Sequence, residues 1–297
     1  MGMEVDSDAR ASVRMPLSSI PPQKQTQTHI MKHPWVVFGL IVLMGAGPPS
    51  AALAELLPHR ASYRMSLASA TRTSGLVAAK GIMIYTFGRS CDGWTVENRT
   101  HLALTYESGA YAETIWTFVS WESLDGLNFR FRALFEESGR TVERVRGHAT
   151  LTEKGGTGTA LLTEPAETEI QLPAGTMFPT EHMAALIAAA EHGDSALEKV
   201  VFDGTSLQNP YFVNALLGPL PHGAQQNLAA SAGLPPAPAW WTRLAYFPLL
   251  SREATPEFEL SAHYRADGVA GEIIQQFDDF TLRVRLDRLE AVAKPDC

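Results

Sequence analysis

Apolar and polar residues alternate along much of this 297-residue chain. Phe129, Phe131, Ala133 and Phe135 are interleaved with Arg130, Arg132 and Glu136. Phe258, Leu260, Ala262 and Tyr264 alternate with Glu259, Ser261, His263 and Arg265, and Leu282, Val284 and Leu286 with Arg283, Arg285 and Asp287. A period of two sets one row of side chains against a core and the other in water, which predicts β-strands. Leu289 falls out of phase with the last run, so a bulge is expected near Asp287–Arg288. Asp92-Gly93, Asp125-Gly126, Glu153-Lys154-Gly155-Gly156 and Asp267-Gly268 divide strand-like runs at hairpin spacing. The pattern predicts an antiparallel meander over about 60–172 and a second group of strands over about 240–293. Runs this dense, joined by tight turns, predict a mainly β protein built on one large antiparallel sheet that curls on itself.

The middle of the chain departs from the alternation. Phe178-Pro179-Thr180-Glu181 opens a stretch in which Met183, Leu186, Ile187 and Ala190 recur at helical spacing, and Gly193 suits its end. This is the one principal α-helix expected. A short second helix is predicted over Asn209–Leu217. Residues 218–238 hold five Pro and three Gly and read as a long irregular loop inside the fold, because similar strands lie on both sides.

Residues 31–54 have the three parts of a secretory signal. Lys32 and His33 form a basic start, Trp35 to Met44 an apolar run, and Ala52-Leu53-Ala54 an A-x-A cleavage pattern. The reading is export to the periplasm with cleavage after Ala54. No Cys stands near that site to carry a lipid, and no apolar run reaches the length of a permanent membrane span. Met31 begins the signal unaided, so residues 1–30 are expected to be an over-extended start. The chain therefore divides into an extension and signal, 1–54, and a single β domain, 55–297.

Removing the first 54 residues takes away four basic and three acidic side chains, which moves the net charge from −8 to −9. An acidic chain without a dense basic block is not a dedicated nucleic-acid binder. With 45% hydrophobic residues the chain has material for a real core, which excludes wholesale disorder.

Export changes the meaning of the two cysteines. Cys91 sits in the turn Ser90-Cys91-Asp92-Gly93, and Cys297 follows Lys294-Pro295-Asp296. Two thiols make neither a multi-disulfide scaffold nor a four-Cys zinc site. In an oxidising compartment two lone cysteines pair as a structural staple, and the competing reading is a redox-sensed or partner-exchanged thiol. A catalytic thiol has no CxxC motif to support it.

Motifs for chemistry are absent from the sequence: there is no GxSxG, HExxH, GxxxxGK or GxGxxG. Gly155-Gly156-Thr157-Gly158 lacks the Lys and helix of a phosphate loop and reads as a hairpin tip. His182 and His192 are ten residues apart, on different helical faces, so they do not make a metal pair. Asp278-Asp279 reads as a turn, and Asp203 has no acid–base partner at any useful spacing. No catalytic, cofactor or metal residues are expected. Arg130/Arg132, Arg144/Arg146 and Arg283/Arg285 each point to one face of a strand, as a solvated outer surface or as a cationic stripe for an anionic envelope partner. The aromatic residues of the strands build the core. A curled sheet that does not close tightly also leaves a concave apolar groove, suited to a lipid chain or an extended peptide.

The signal, the Cys91 turn, Phe178-Pro179-Thr180-Glu181, Val201-Phe202-Asp203-Gly204 and the run Asp279-Phe280-Thr281-Leu282 to Lys294-Pro295-Asp296-Cys297 resemble the EipB family of cell-envelope integrity proteins. The resemblance spans essentially all of the chain after the signal. It implies a spirally wound antiparallel sheet in the periplasm, a β-spiral loosely similar to periplasmic lipoprotein carriers and an envelope-stress sensor. It also implies a disulfide between Cys91 and Cys297, and it transfers no catalytic residues. Three functions follow as expectations. The first is a non-enzymatic protein of envelope integrity that captures a lipid, lipoprotein or peptide in its concave sheet. The second is a scaffold docking on a periplasmic helical-repeat protein. The third is a cell-wall hydrolase, which requires clustered carboxylates or a metal.

Overall fold

The computed structural model describes residues 55–249 and 254–297. The expected signal, its cleavage after Ala54 and residues 1–30 lie outside them. The first strands are β1 (His59–Ala70), β2 (Leu76–Arg89), β3 (Gly93–Tyr106), β4 (Tyr111–Ser123) and β5 (Asn128–Glu137). They continue into β6 (Arg140–Leu151), β7 (Gly158–Glu164), β8 (Thr168–Leu172) and β9 (Thr176–Met177), and helix α1 (Pro179–His192) follows. The second half contains β10 (Ala196–Val201), β11 (Tyr211–Pro219), helix α2 (His222–Ala232), β12 (Ala239–Pro248), β13 (Phe258–Arg265), β14 (Ala270–Gln276) and β15 (Phe280–Ala291).

All fifteen strands belong to one sheet. On one side of β1 the order runs outward through β2 to β8, and on the other through β15 and then backwards to β9. Every neighbour is antiparallel except β9 and β10, which are parallel because α1 carries the chain between them. The two sheet edges, β8 and β9, are consecutive along the chain, so the sheet winds round until its ends meet in sequence. This is the large antiparallel sheet curling on itself that the alternation predicts, with the spiral winding that the family resemblance implies.

Alternation also decides which face is the inside. Phe129, Phe131, Ala133, Val145, Ala149, Ala160 and Leu162 point inward and cluster with Phe178 and Phe202. Burying each of these phenylalanines contributes roughly 1.5–3 kcal/mol. The four turn sequences all lie between strands, and the expected bulge is present. Ser62 pairs with Arg288 while Tyr63 pairs with Leu286, which leaves Asp287 over, and its carboxylate takes the guanidinium of Arg64.

Two expectations fail. Asn209–Leu217 is not a helix: from Tyr211 it is the strand β11, with Tyr211, Val213, Ala215 and Leu217 buried and partnered by β10 and β12. The intervening Phe212 and Leu216 are also apolar, which hides the period of two. Residues 218–238 are not irregular throughout, because they contain α2. Pro221 and Gly233 bracket that helix instead of interrupting it, and Gly233 takes a left-handed φ of 64° at its C-terminal cap. Leu228 of α2 lies against Gly271, beyond the point where the β14–β15 ladder ends at Glu272 and Arg285. The strand β10 was also absent from the expected pattern.

The loop after β10 shows why Val201-Phe202-Asp203-Gly204 is specific. Phe202 is fully buried, edge-on to Phe131. Asp203 accepts from the Thr205 N–H at 2.9 Å, the Thr205 hydroxyl at 2.7 Å and the Asn209 amide at 2.9 Å. Gly204 has a φ of 66°, and a Cβ there would lie 2.4 Å from the Phe131 ring. Gly204→Ala is therefore expected to cost about 2 kcal/mol, from overpacking and a disfavoured φ together. Urea unfolding measures it, and a loss below about 0.5 kcal/mol would contradict the packing described.

Candidate functional site

Helix α1 lies inside the curl of the sheet. Ile187 and Ala190 pack on Leu56, Phe87 and Trp240, while Leu186 and Ala189 pack on Val201, Val213 and Leu244. The residue before the helix, Phe178, stacks on Phe129 at 5.1 Å. One helix thus touches walls from both halves of the sheet. Its start has no local cap, because Phe178 offers no side-chain acceptor. Glu122 of β4 supplies one: its carboxylate accepts the N–H groups of Thr180 at 2.7 Å and Glu181 at 2.9 Å. Burial pushes the Glu122 carboxyl up to about 7, outweighing the two backbone bonds that pull it down.

Two adjoining cavities of about 250 and 480 Å³ occupy the lumen under α1. Asn98, Trp116, Asp203, Thr205 and Tyr246 line both. The larger has walls of Leu102, Phe135, Phe258 and Leu260, with Phe277 exposed at its rim. Its volume lies within the roughly 300–1,000 Å³ of small-molecule sites. The smaller lies against Thr180, His182, Met183 and Leu186 of the helix.

Hydrogen-bonding groups punctuate the smaller cavity. Tyr85, Tyr246 and Tyr264 line it, and burial raises all three phenols, so they stay protonated. Their hydroxyls find no protein partner among the described residues. The amide oxygen of Asn98 accepts from Thr100 at 3.1 Å. His182 is 5% exposed, and its Nε2 is sealed from solvent with no hydrogen-bond partner among the described residues. Burial lowers the imidazole to about 4, so it is neutral. Burial also raises Asp203, whose bonds are spent on its own loop.

The structure places the sequence candidates as follows. Cys91 and Cys297 are joined by a disulfide, with their Cα atoms 5.6 Å apart. It anchors the tail after β15 to the β2–β3 turn, beside an ion pair between Lys294 and Glu55 at 2.8 Å. Arg130, Arg132, Arg144 and Arg146 come together on the outer face, where Arg132 pairs with Arg146 across β5 and β6. There Arg130, Arg132 and Arg146 flank an open groove with His148 and with Trp121, over which Arg130 stacks at 5.0 Å. Arg283 and Arg285 lie elsewhere, facing Glu272 at 3.6 and 3.1 Å. His182 and His192 are not brought together: the first is buried in the lumen and the second is exposed, bonded to the Ala188 carbonyl. The Glu122 cap is not among the candidates, and Tyr85 and Tyr264 are not singled out as hydrogen-bonding groups of a lumen. Both depend on residues far apart in sequence, for which a local pattern carries no signal.

Among the described residues no helix is long and apolar enough to cross a membrane, and no cluster of three or more His, Cys, Asp or Glu has metal-site geometry. The comparisons with known proteins agree with the architecture. The family model described as EipB-like matches residues 50–293. The cell envelope integrity protein EipB of Brucella abortus (strain 2308) is 27% identical over 259 residues, covering 85% of this chain and 91% of that protein. A crystal structure titled as a beta-barrel-like protein of domain of unknown function DUF1849, also from Brucella abortus, superposes with a TM-score of 0.72. The two chains are 26% identical, and the match covers 80% of this chain and 99% of that one. On the family match, which takes in nearly all the described residues, this chain belongs to the EipB-like family.

Proposed function

We propose that the protein is a non-enzymatic periplasmic factor of cell-envelope integrity that holds a lipidic chain inside its β-spiral. The observation that carries this reading is the apolar lumen, about 480 Å³ in its larger part, walled by strands from both halves of the sheet. A closely packed β core has no need of such a space. Placement in the envelope is supported by the signal pattern of residues 31–54, by the disulfide and by the function named for the Brucella relative. The buried carboxylates support a role without catalysis: Glu122 is spent on the helix cap and Asp203 on its loop.

Native mass spectrometry of protein taken from its own envelope is expected to show a bound lipid-sized mass. Thr100 faces the larger cavity, so Thr100→Trp fills it. That variant is expected to bind the apolar dye N-phenyl-1-naphthylamine at least about tenfold more weakly while keeping its circular dichroism. It is also expected to fail to restore detergent resistance to a strain lacking the protein. Full restoration by a folded variant that no longer binds would refute the reading.

A further inference from the structure

The smaller cavity has a chemistry of its own, and the identity of a ligand's head group follows from it. Tyr85, Tyr264 and Asn98 line it under α1, and the hydroxyls of the two tyrosines have no protein partner among the described residues. Neither Lys nor Arg lines either cavity among the described residues, and the acidic side chains that do are Asp203 and Glu143. An anionic head placed here would be desolvated without a counter-ion and would face the Asp203 carboxyl group. A cationic head fares little better. The phenols offer it no charge, burial favours the neutral form of Asp203, and Glu143 lines only the larger cavity.

We propose that the lumen selects a single-chain amphiphile with an uncharged hydrogen-bonding head, such as a long-chain alcohol, primary amide or monoester, bound with its head in the smaller cavity against Tyr85, Tyr264 and Asn98. The proposal rests on the lumen reading above. Direction follows from the cost of the alternative. A chain inserted tail-first would press methylenes against three partly buried phenols, which leaves their hydroxyls without partners. Inserted head-first, it satisfies them and lays its chain along Leu102, Phe135, Phe258 and Leu260.

Displacement of N-phenyl-1-naphthylamine from the purified protein tests this with three probes of equal chain length: hexadecanol, hexadecyl phosphate and hexadecylamine. Hexadecanol is expected to displace the dye at about tenfold lower concentration than either charged probe, the scale of one buried hydrogen bond against a desolvated charge. In the double variant Tyr85→Phe, Tyr264→Phe that advantage is expected to shrink to less than about threefold. Equal displacement by all three probes overturns the head selectivity and leaves the lumen reading standing. An advantage that survives the double variant overturns the head-inward placement. Failure of the dye and of every probe to bind removes both this inference and the reading it rests on.

Discussion

Replacing Cys91 and Cys297 with serine is expected to lower the unfolding free energy by about 2–5 kcal/mol. The bond spans 206 positions of sequence, so every strand but β1 and β2 lies within the loop it closes. Closing so long a loop removes conformational freedom from the unfolded chain, and the chain-entropy model sets a ceiling of about 5 kcal/mol. The native contacts at the bond are modest by comparison. They are an exposed ion pair from Lys294 to Glu55 and a hydrogen bond from the Val292 N–H to the Pro58 carbonyl. Most of the loss therefore belongs to the unfolded state, and the denaturant m-value should rise, because the unbridged chain expands further. Guanidinium titration of the double variant checks both quantities. A change below about 1 kcal/mol, or two free thiols in the native protein, would contradict this account.

The second large effect is expected at Glu122. Glu122→Ala removes the acceptor for two buried N–H groups at the start of α1 and should cost about 3 kcal/mol. Glu122→Gln separates charge from hydrogen bonding. The folded carboxyl titrates near 7 against an ordinary 4.5. Between those values the folded protein holds a proton that the unfolded chain has lost, so this group's contribution to stability falls as pH rises through the window. His182 acts in the opposite sense. Folded, it titrates near 4 against an ordinary 6.5, so its contribution increases with pH from about 4 to 6.5. His59, also buried and lowered, adds to that increase. Glutamine cannot take part in the falling limb, so Glu122→Gln should gain on the wild type steadily from pH 4.5 to 7. Thermal melts across that range measure the difference, and one that stays constant with pH would rule out a carboxyl buried this way.

What was legible in the sequence followed from local rules. Hairpins announced themselves through Asp-Gly turns, strands through alternation, the Asp287 bulge through the phase slip at Leu289, and α1 through its Pro179 start and Gly193 stop. The failures have equally local causes. In β11 the residues of the second face are too apolar to show a period of two, and α2 is short, mildly amphipathic and framed by residues that elsewhere signal loops. The candidate site was legible only in outline. Alternation implies a concave apolar surface, but not that Tyr85 of β2 and Tyr264 of β13 face one cavity. That juxtaposition depends on how far the sheet winds, which is a property of fifteen registers taken together. The arginines make the same point. Each i, i+2 pair shares a face by geometry alone, whereas their gathering across β5 and β6 required the Arg132–Arg146 register.

The pairing of β1 with β15 has a consequence in time. Strands β1 to β8 each pair with the one just synthesised, so they can zip together as short-range hairpins while the chain emerges. Strands β10 to β15 do the same, and the joint that cannot form this way is that of β1 with β15. β1 keeps a bare edge until Ala291 reaches His59, and only then does the winding become continuous. Contacts of such long range make folding slow. The wait for one strand, more than the formation of any hairpin, sets the pace, and self-association of that open edge is the hazard the molecule carries until β15 arrives.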